Sequence, residues 1–177
     1  MRFFAKTSLF IGILLIAFGS FLMVQRYSPQ NLSFENVLET PSVSTGTLPR
    51  QIVIKKVKIN LPIYPAQIQN NSWQATTSGV SYLISSPIPG MLGNSVLYGH
   101  NWTSLLGPLT GVKPGDLVDI TYTNGAKKTF KIVYTTVVAP SNTSILDSTG
   151  DARITIYTCT GFLDTQRFVA VGKPVSI

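Results

Sequence analysis

The stretch RITIYTCTGFLDTQRF, Arg153 to Phe168, decides how the chain is read. Its first half is apolar and β-branched, and Ile154 and Ile156 alternate along it as the buried side of a strand should. Cys159, the only cysteine of 177 residues, stands at the tip of that strand. Arg167 opens the closing run RFVAVGKPVSI, which reads as the last strand. Seven residues separate Cys159 from Arg167, too few for a helical insertion, so the stretch is one strand, a short crossing and the start of the next.

The same signals recur toward the N-terminus. Residues 127–138, KKTFKIVYTTVV, and 113–125, KPGDLVDITYTNG, form a hairpin about Asn124-Gly125, a dipeptide suited to tight turns. Ser95 to Tyr98 is a strand inside PIPGMLGNSVLYGH, and GVSYLISSP is another. From Gln51 to Tyr64, Val57, Ile59, Leu61 and Ile63 face one way and Lys56, Lys58 and Asn60 the other. Pro62 and Pro65 should end regular pairing there or mark an edge. Short helices are expected only at Thr103 to Leu106, before Gly107-Pro108, and at Asn142 to Asp147, with Ser141 or Asn142 as N-cap. The expectation is a mainly β domain over residues 50–177, a seven- to eight-stranded closed or nearly closed barrel.

The preceding residues have another character. Residues 1–6 carry Arg2 and Lys6, and Thr7 to Val24 is an uncharged apolar run of 18 residues, within the roughly 17–25 needed to cross a bilayer. We expect a transmembrane signal anchor over 7–24. Arg2 and Lys6 against Arg26 favour a cytoplasmic N-terminus and an extracytoplasmic domain at the cell membrane. Cleavage near Ala17-Phe18-Gly19 is the competing reading. Residues 25–49 are rich in Ser, Thr, Asn, Gln and Pro and read as a flexible stalk. The alternative is one short turn about Phe34, Val37 and Leu38 packed on the domain.

Bulk numbers exclude several functions. The net charge of +7 is scattered, with no run long enough for a nucleic-acid arm. One cysteine rules out an internal disulfide, and one cysteine with one histidine rules out the usual all-protein N/S metal cage, so no metal or cofactor is expected. An exported thiol is exposed to oxidation, which makes Cys159 a candidate for chemistry. The single His100, in VLYGHNW, also falls at a strand end, as does Arg167. A thiolate nucleophile, an imidazole that moves protons and a permanently charged fork of donors make an acyl-transfer set.

In that combination the chain resembles the sortases, membrane-anchored cysteine transpeptidases. TIYTC at Thr155 to Cys159 is similar to the family's TLxTC strand end, with Ile156 for Leu. RFV at Arg167 to Val169 matches the strand that bears its arginine, and GNSVLYGHNW the one that delivers its histidine, with Asn101 where many members have Arg. INLPIY, NSWQ, GVSYLISSPIPGMLGN and LTGVKPGDLVDI follow in the family's order, so the resemblance covers about residues 50–177. It implies a thioacyl-enzyme on Cys159, formed from an LPxTG-like sorting motif and resolved by an amine. His100 is then acid and base, and Arg167 the oxyanion and substrate donor. Thr158, Pro89 and Gly90 are candidate substrate contacts. Implied partners are surface proteins with C-terminal sorting signals and an amine acceptor, a peptidoglycan precursor or a pilin lysine. No Asp or Glu occurs between Glu39 and Asp116, so acidic calcium clusters before the histidine are missing. The Asp-containing lid of pilin-assembling members is also expected to be absent. Rival readings are another exported cysteine acyltransferase, such as an L,D-transpeptidase, and a non-catalytic tethered binding module.

Overall fold

The computed structural model describes residues 2–26, 32–35, 37, 47–69 and 72–175. After helix α1 (Arg2–Arg26) come β1 (Pro49–Ile54), β2 (Ile59–Ala66), β3 (Ile68–Gln69), β4 (Ser72–Trp73), β5 (Val80–Leu83), β6 (Gly93–Gly99), β7 (Leu117–Tyr122), β8 (Lys127–Val138), β9 (Ala152–Thr160) and β10 (Gln166–Pro174). Eight of the strands close a barrel in the order β1-β2-β5-β6-β9-β10-β8-β7, and β3 and β4 pair as a small separate hairpin. The expected barrel is thus present and closed.

Residues 51–64 are not one strand. A 3-10 turn at Lys55–Val57 and Lys58 in the left-handed region (φ 57°) fold them into the β1–β2 hairpin. The alternation is real but is confined to β2. The prolines are not on an edge either. Ile59 to Pro62 pair with β1 and Ile63 to Ala66 with β5, so β2 changes partner along its length. Each proline therefore meets one neighbouring strand, which tolerates a missing N–H. The Asn124-Gly125 turn is as expected, with Gly125 at φ 81° and its N–H bonded to the Tyr122 carbonyl at 3.0 Å. Residues 103–106 form turns, and the 3-10 helix begins where a stop was expected, at Gly107–Gly111 with Pro108 in its first turn. The second expected helix is a 3-10 turn at Thr143–Leu146.

The barrel interior takes Ile52, Val80, Leu97, Val118, Phe130, Ile154, Ile156 and Ala170. A second apolar cluster lies on the outer face of β6, β9 and β10 and includes Trp73, Val96, Tyr98, Tyr157, Cys159 and Val169. Strand β9 is therefore buried on both sides, not on one. Between those strands the Asn94 amide donates to the Ile145 and Asp147 carbonyls at 2.9 and 3.2 Å and accepts from the Thr155 hydroxyl at 2.7 Å.

Helix α1 covers the apolar N-terminal run, and its described side chains, Leu9 to Val24, are mostly exposed. Among the described residues no helix is long and apolar enough to cross a membrane. The expected span at 7–24 is helical throughout, and a crossing finds no support among the described residues. Much of the expected stalk, including Leu38, lies outside the described residues.

Asn94→Ala should lower stability by about 1–3 kcal/mol, since it strands two carbonyls and a buried hydroxyl. Urea unfolding of the variant against the parent chain checks this.

Candidate active site

Two ladders assemble the site. Strands β6 and β9 run parallel, with Gly99 opposite Thr158, so the next residues along, His100 and Cys159, leave the sheet side by side. Strand β10 runs antiparallel to β9 with Arg167 directly opposite Cys159. Side chains from three strand ends thus come together at one end of the barrel, on its outer face. Thr158 joins them with its hydroxyl turned to the Gly99 carbonyl at 2.8 Å and no exposed surface. It ties β9 to β6 one residue before His100 and Cys159.

Pro89 and Gly90 are not brought there. They precede β6, whose seven residues separate them from His100 by roughly 20 Å. At that far end the Tyr122 hydroxyl donates to the Pro89 carbonyl and Lys128 Nζ to the Gly90 carbonyl at 3.1 Å. They line a cavity of about 410 Å³ with Ile88, Met91 and Asn124, distinct from the cysteine site.

The three site residues are nearly enclosed: Cys159 and Arg167 are 3% exposed and His100 5%. The cover comes from the expected stalk. Leu32 and Phe34 are buried in the outer cluster. The Tyr157 hydroxyl donates to the Leu32 carbonyl at 3.1 Å, and Arg167 Nη2 to the Ser33 carbonyl at 2.8 Å. The Phe34 ring stands edge-on to Tyr157 at 5.0 Å and lies 5.8 Å from the Arg167 guanidinium carbon. The Glu35 N–H bonds the Pro140 carbonyl at 3.1 Å. Residues 32–35 are therefore a strap over the site, so this part of the expected flexible stalk is packed on the barrel. The strap contains no Asp. Its hold is apolar burial plus backbone carbonyls, which no search for an acidic lid would find. The alternative expectation, residues about Phe34 and Val37 packed on the domain, agrees with this: Phe34 is buried and Val37 packs against the outer cluster.

Arg167 is positioned by backbone. Its Nη1 donates to the Asp164 and Gln166 carbonyls, each at 3.0 Å. Its Nε is buried without a hydrogen-bond partner among the described residues. Burial pushes the Cys159 thiol up to about 12, with Arg167 pulling down and Asp164 pushing further up. Burial lowers His100 below its ordinary value, opposed by Asp164. Under the strap, then, both partners are held in their neutral forms near pH 7. The imidazole stacks on Trp102, centroids 4.6 Å apart and planes within 10°. Sequence reading missed Asp164, because a short turn and not sequence proximity to His100 places it here.

A family model, described as the sortase domain, matches residues 52–175. The chain belongs to the sortase family. Sortase A of Listeria monocytogenes is 31% identical over 126 residues, which is 69% of this chain. The match spans only 54% of that relative's length. Among solved structures, sortase A from Corynebacterium diphtheriae, described as a lid mutant, superposes with a TM-score of 0.64 at 25% identity, over 76% of this sortase and 74% of that chain. Sortase C1 from Streptococcus agalactiae gives 0.62 at 25% identity, over 72% and 67%.

Alkylation of Cys159 by iodoacetamide reports on the strap, because no other thiol is present. Phe34→Ala should raise its rate at fixed pH at least about tenfold, the factor for 1.4 kcal/mol of lost closure. The rate should climb with pH through the neutral range in the parent chain, since only the thiolate reacts. The rise should begin at lower pH once the strap is loosened. An unchanged rate in Phe34→Ala would show that the strap does not limit access.

Proposed function

We propose that this sortase is a cysteine transpeptidase that cleaves an LPxTG-like sorting motif and passes the acyl group to an amine. One observation carries the reading: the guanidinium opposite Cys159 already holds a peptide carbonyl, that of Ser33, and keeps a buried Nε in reserve. A substrate carbonyl that replaced Ser33 would sit on a fixed cation beside the thiol, where developing negative charge is best stabilised.

The steps follow from the residues. Proton transfer from the Cys159 thiol to His100 yields the thiolate–imidazolium pair. The thiolate attacks the carbonyl carbon, and Arg167 donates to the oxyanion. As the C–N bond breaks, His100 returns its proton to the departing amine, leaving a thioester on Cys159 and a neutral imidazole. An acceptor amine then attacks the thioester, His100 takes its proton, and the thiolate leaves. The raised thiol makes the ion pair a minority species under cover, so displacement of the strap is itself an activating step.

The natural substrates are surface proteins with C-terminal sorting signals. The acceptor is a cell-wall precursor or a pilin lysine. The enzyme is held at the cell membrane by residues 7–24, with the barrel outside. Supporting this are the uncharged run from Thr7 to Val24 and the exposed apolar side chains along α1.

The test is a peptide library carrying sorting-type sequences, incubated with the full chain in detergent micelles and read by mass spectrometry. A thioester adduct on Cys159, lost in Cys159→Ala and reduced at least about a hundredfold in His100→Ala, is expected. Undiminished cleavage by pure Cys159→Ala protein would overturn the proposal. Leu32→Ala should cleave faster than the parent chain, and a slower rate in a folded variant would remove the strap from the reading.

A further inference from the structure

The crossing between β9 and β10 ends in an apolar tip that neither core cluster uses. Gly161 (φ 80°) is followed by a 3-10 turn, Phe162–Asp164, in which Leu163 (φ 52°) and Asp164 (φ 60°) both occupy the left-handed region. Asp accepts that conformation readily and Leu does not. The strained backbone brings no packing in return, since Phe162 and Leu163 are 84% and 42% exposed. One exposed apolar side chain is ordinary, but two neighbours held outward by a strained turn are not. The turn is also closed on itself. The Asp164 N–H donates to the Gly161 carbonyl at 3.3 Å, and the Thr165 N–H and hydroxyl both donate to the Phe162 carbonyl, at 3.3 and 2.9 Å. These two carbonyls are satisfied without water, as a backbone entering an apolar medium requires.

The position of α1 says what the tip meets. Helix and turn approach each other, with Cα atoms of the two within 8 Å. Chain length agrees. Arg26 ends α1 six residues before Leu32, which is at most about 22 Å of extended chain. Leu32 is buried in the outer cluster with Cys159, so the C-terminal end of α1 stays at the Cys159 end of the barrel while the strap is seated. The described side chains of α1 are apolar and mostly exposed. Phe162 and Leu163 therefore extend an exposed apolar surface that begins on the helix. The barrel has a second apolar tip, Met91 and Leu92, 61% and 72% exposed. It precedes β6 and lies at the end away from His100, where the short tether from α1 does not lead.

We infer that Phe162 and Leu163 dip into the interfacial layer of a lipid bilayer and hold the Cys159 end of the barrel against it. This rests on the proposed anchoring by residues 7–24 and goes beyond it, because a tether alone leaves the barrel free to turn. Binding of this kind grows with the apolar area that leaves water, which is what the strained turn maximises. The consequence is an orientation: Cys159, His100 and Arg167 face the membrane, and Met91 and Leu92 face away from it. A peptide held at the membrane surface then meets the site directly.

The test uses the full chain reconstituted in vesicles of phosphatidylcholine and phosphatidylglycerol. Phe162→Trp and Met91→Trp put a reporter on each tip, and both positions are exposed enough to accept the ring. The parent signal of Trp73 and Trp102 is subtracted. The expected result is that the Phe162→Trp indole emits to the blue of the Met91→Trp indole. It should be quenched by lipids brominated on their acyl chains and shielded from aqueous acrylamide, with the reverse for Met91→Trp. Vesicle flotation separates the two readings. A chain that floats while the Phe162→Trp indole is open to acrylamide and untouched by brominated lipid overturns this inference and leaves the anchor standing. Lipid quenching of Met91→Trp instead of Phe162→Trp overturns it as well, by turning the barrel over. A chain that does not float at all overturns the anchor and this docking with it. No transpeptidation is read, so the result does not depend on which peptide the sortase cleaves.

Discussion

Everything at the site depends on the parallel pairing of β6 with β9. Parallel neighbours cannot be joined by a tight turn, and the chain between them spends its length on the β7–β8 hairpin before returning. The result is that two strand ends which carry chemistry emerge at the same height and the same edge. Had the pairing been antiparallel, His100 and Cys159 would lie at opposite ends of the barrel. The antiparallel β10 then adds the arginine by simple reversal. Barrel closure and the filled interior make this geometry rigid, and the Thr158–Gly99 hydrogen bond locks it one residue from His100 and Cys159.

Much of this was legible in the residues. The period-2 runs, Asn124-Gly125 and the strand-end placement of Cys159, His100 and Arg167 required only local reading. Long-range register was not legible: nothing in GVSYLISSPIPG says that Pro89 and Gly90 sit at the other end of β6 from His100. The β1–β2 hairpin was hidden because a lysine, not a glycine, takes the left-handed position. The strap was hidden for a different reason. Its composition is that of a linker, and two apolar residues become decisive only where an exposed face of the barrel is waiting for them.

That waiting face is the physical link between fold and regulation. A closed barrel has one interior, yet β9 is buried on both sides because Tyr98, Tyr157 and Trp73 build an aromatic layer outside it. Tyr98 and Tyr157 stack with planes 12° apart, and Trp73 meets both edge-on. Such a surface would be an aggregation hazard if left bare. Covering it with the chain's own residues 32–35 resolves that hazard and places a carbonyl on Arg167 at the same time.

Because the strap belongs to the same molecule, under the proposed function it would compete with substrate at a fixed effective concentration, in the millimolar range for short tethers. Dilution of the enzyme does not weaken it. An incoming peptide binds with its intrinsic affinity reduced by the fraction of time the site stands open. The Ser33 contact would then act as a threshold on local abundance. On that reading a peptide met singly in solution would lose to the strap, whereas one presented densely on a surface would overcome it by mass action.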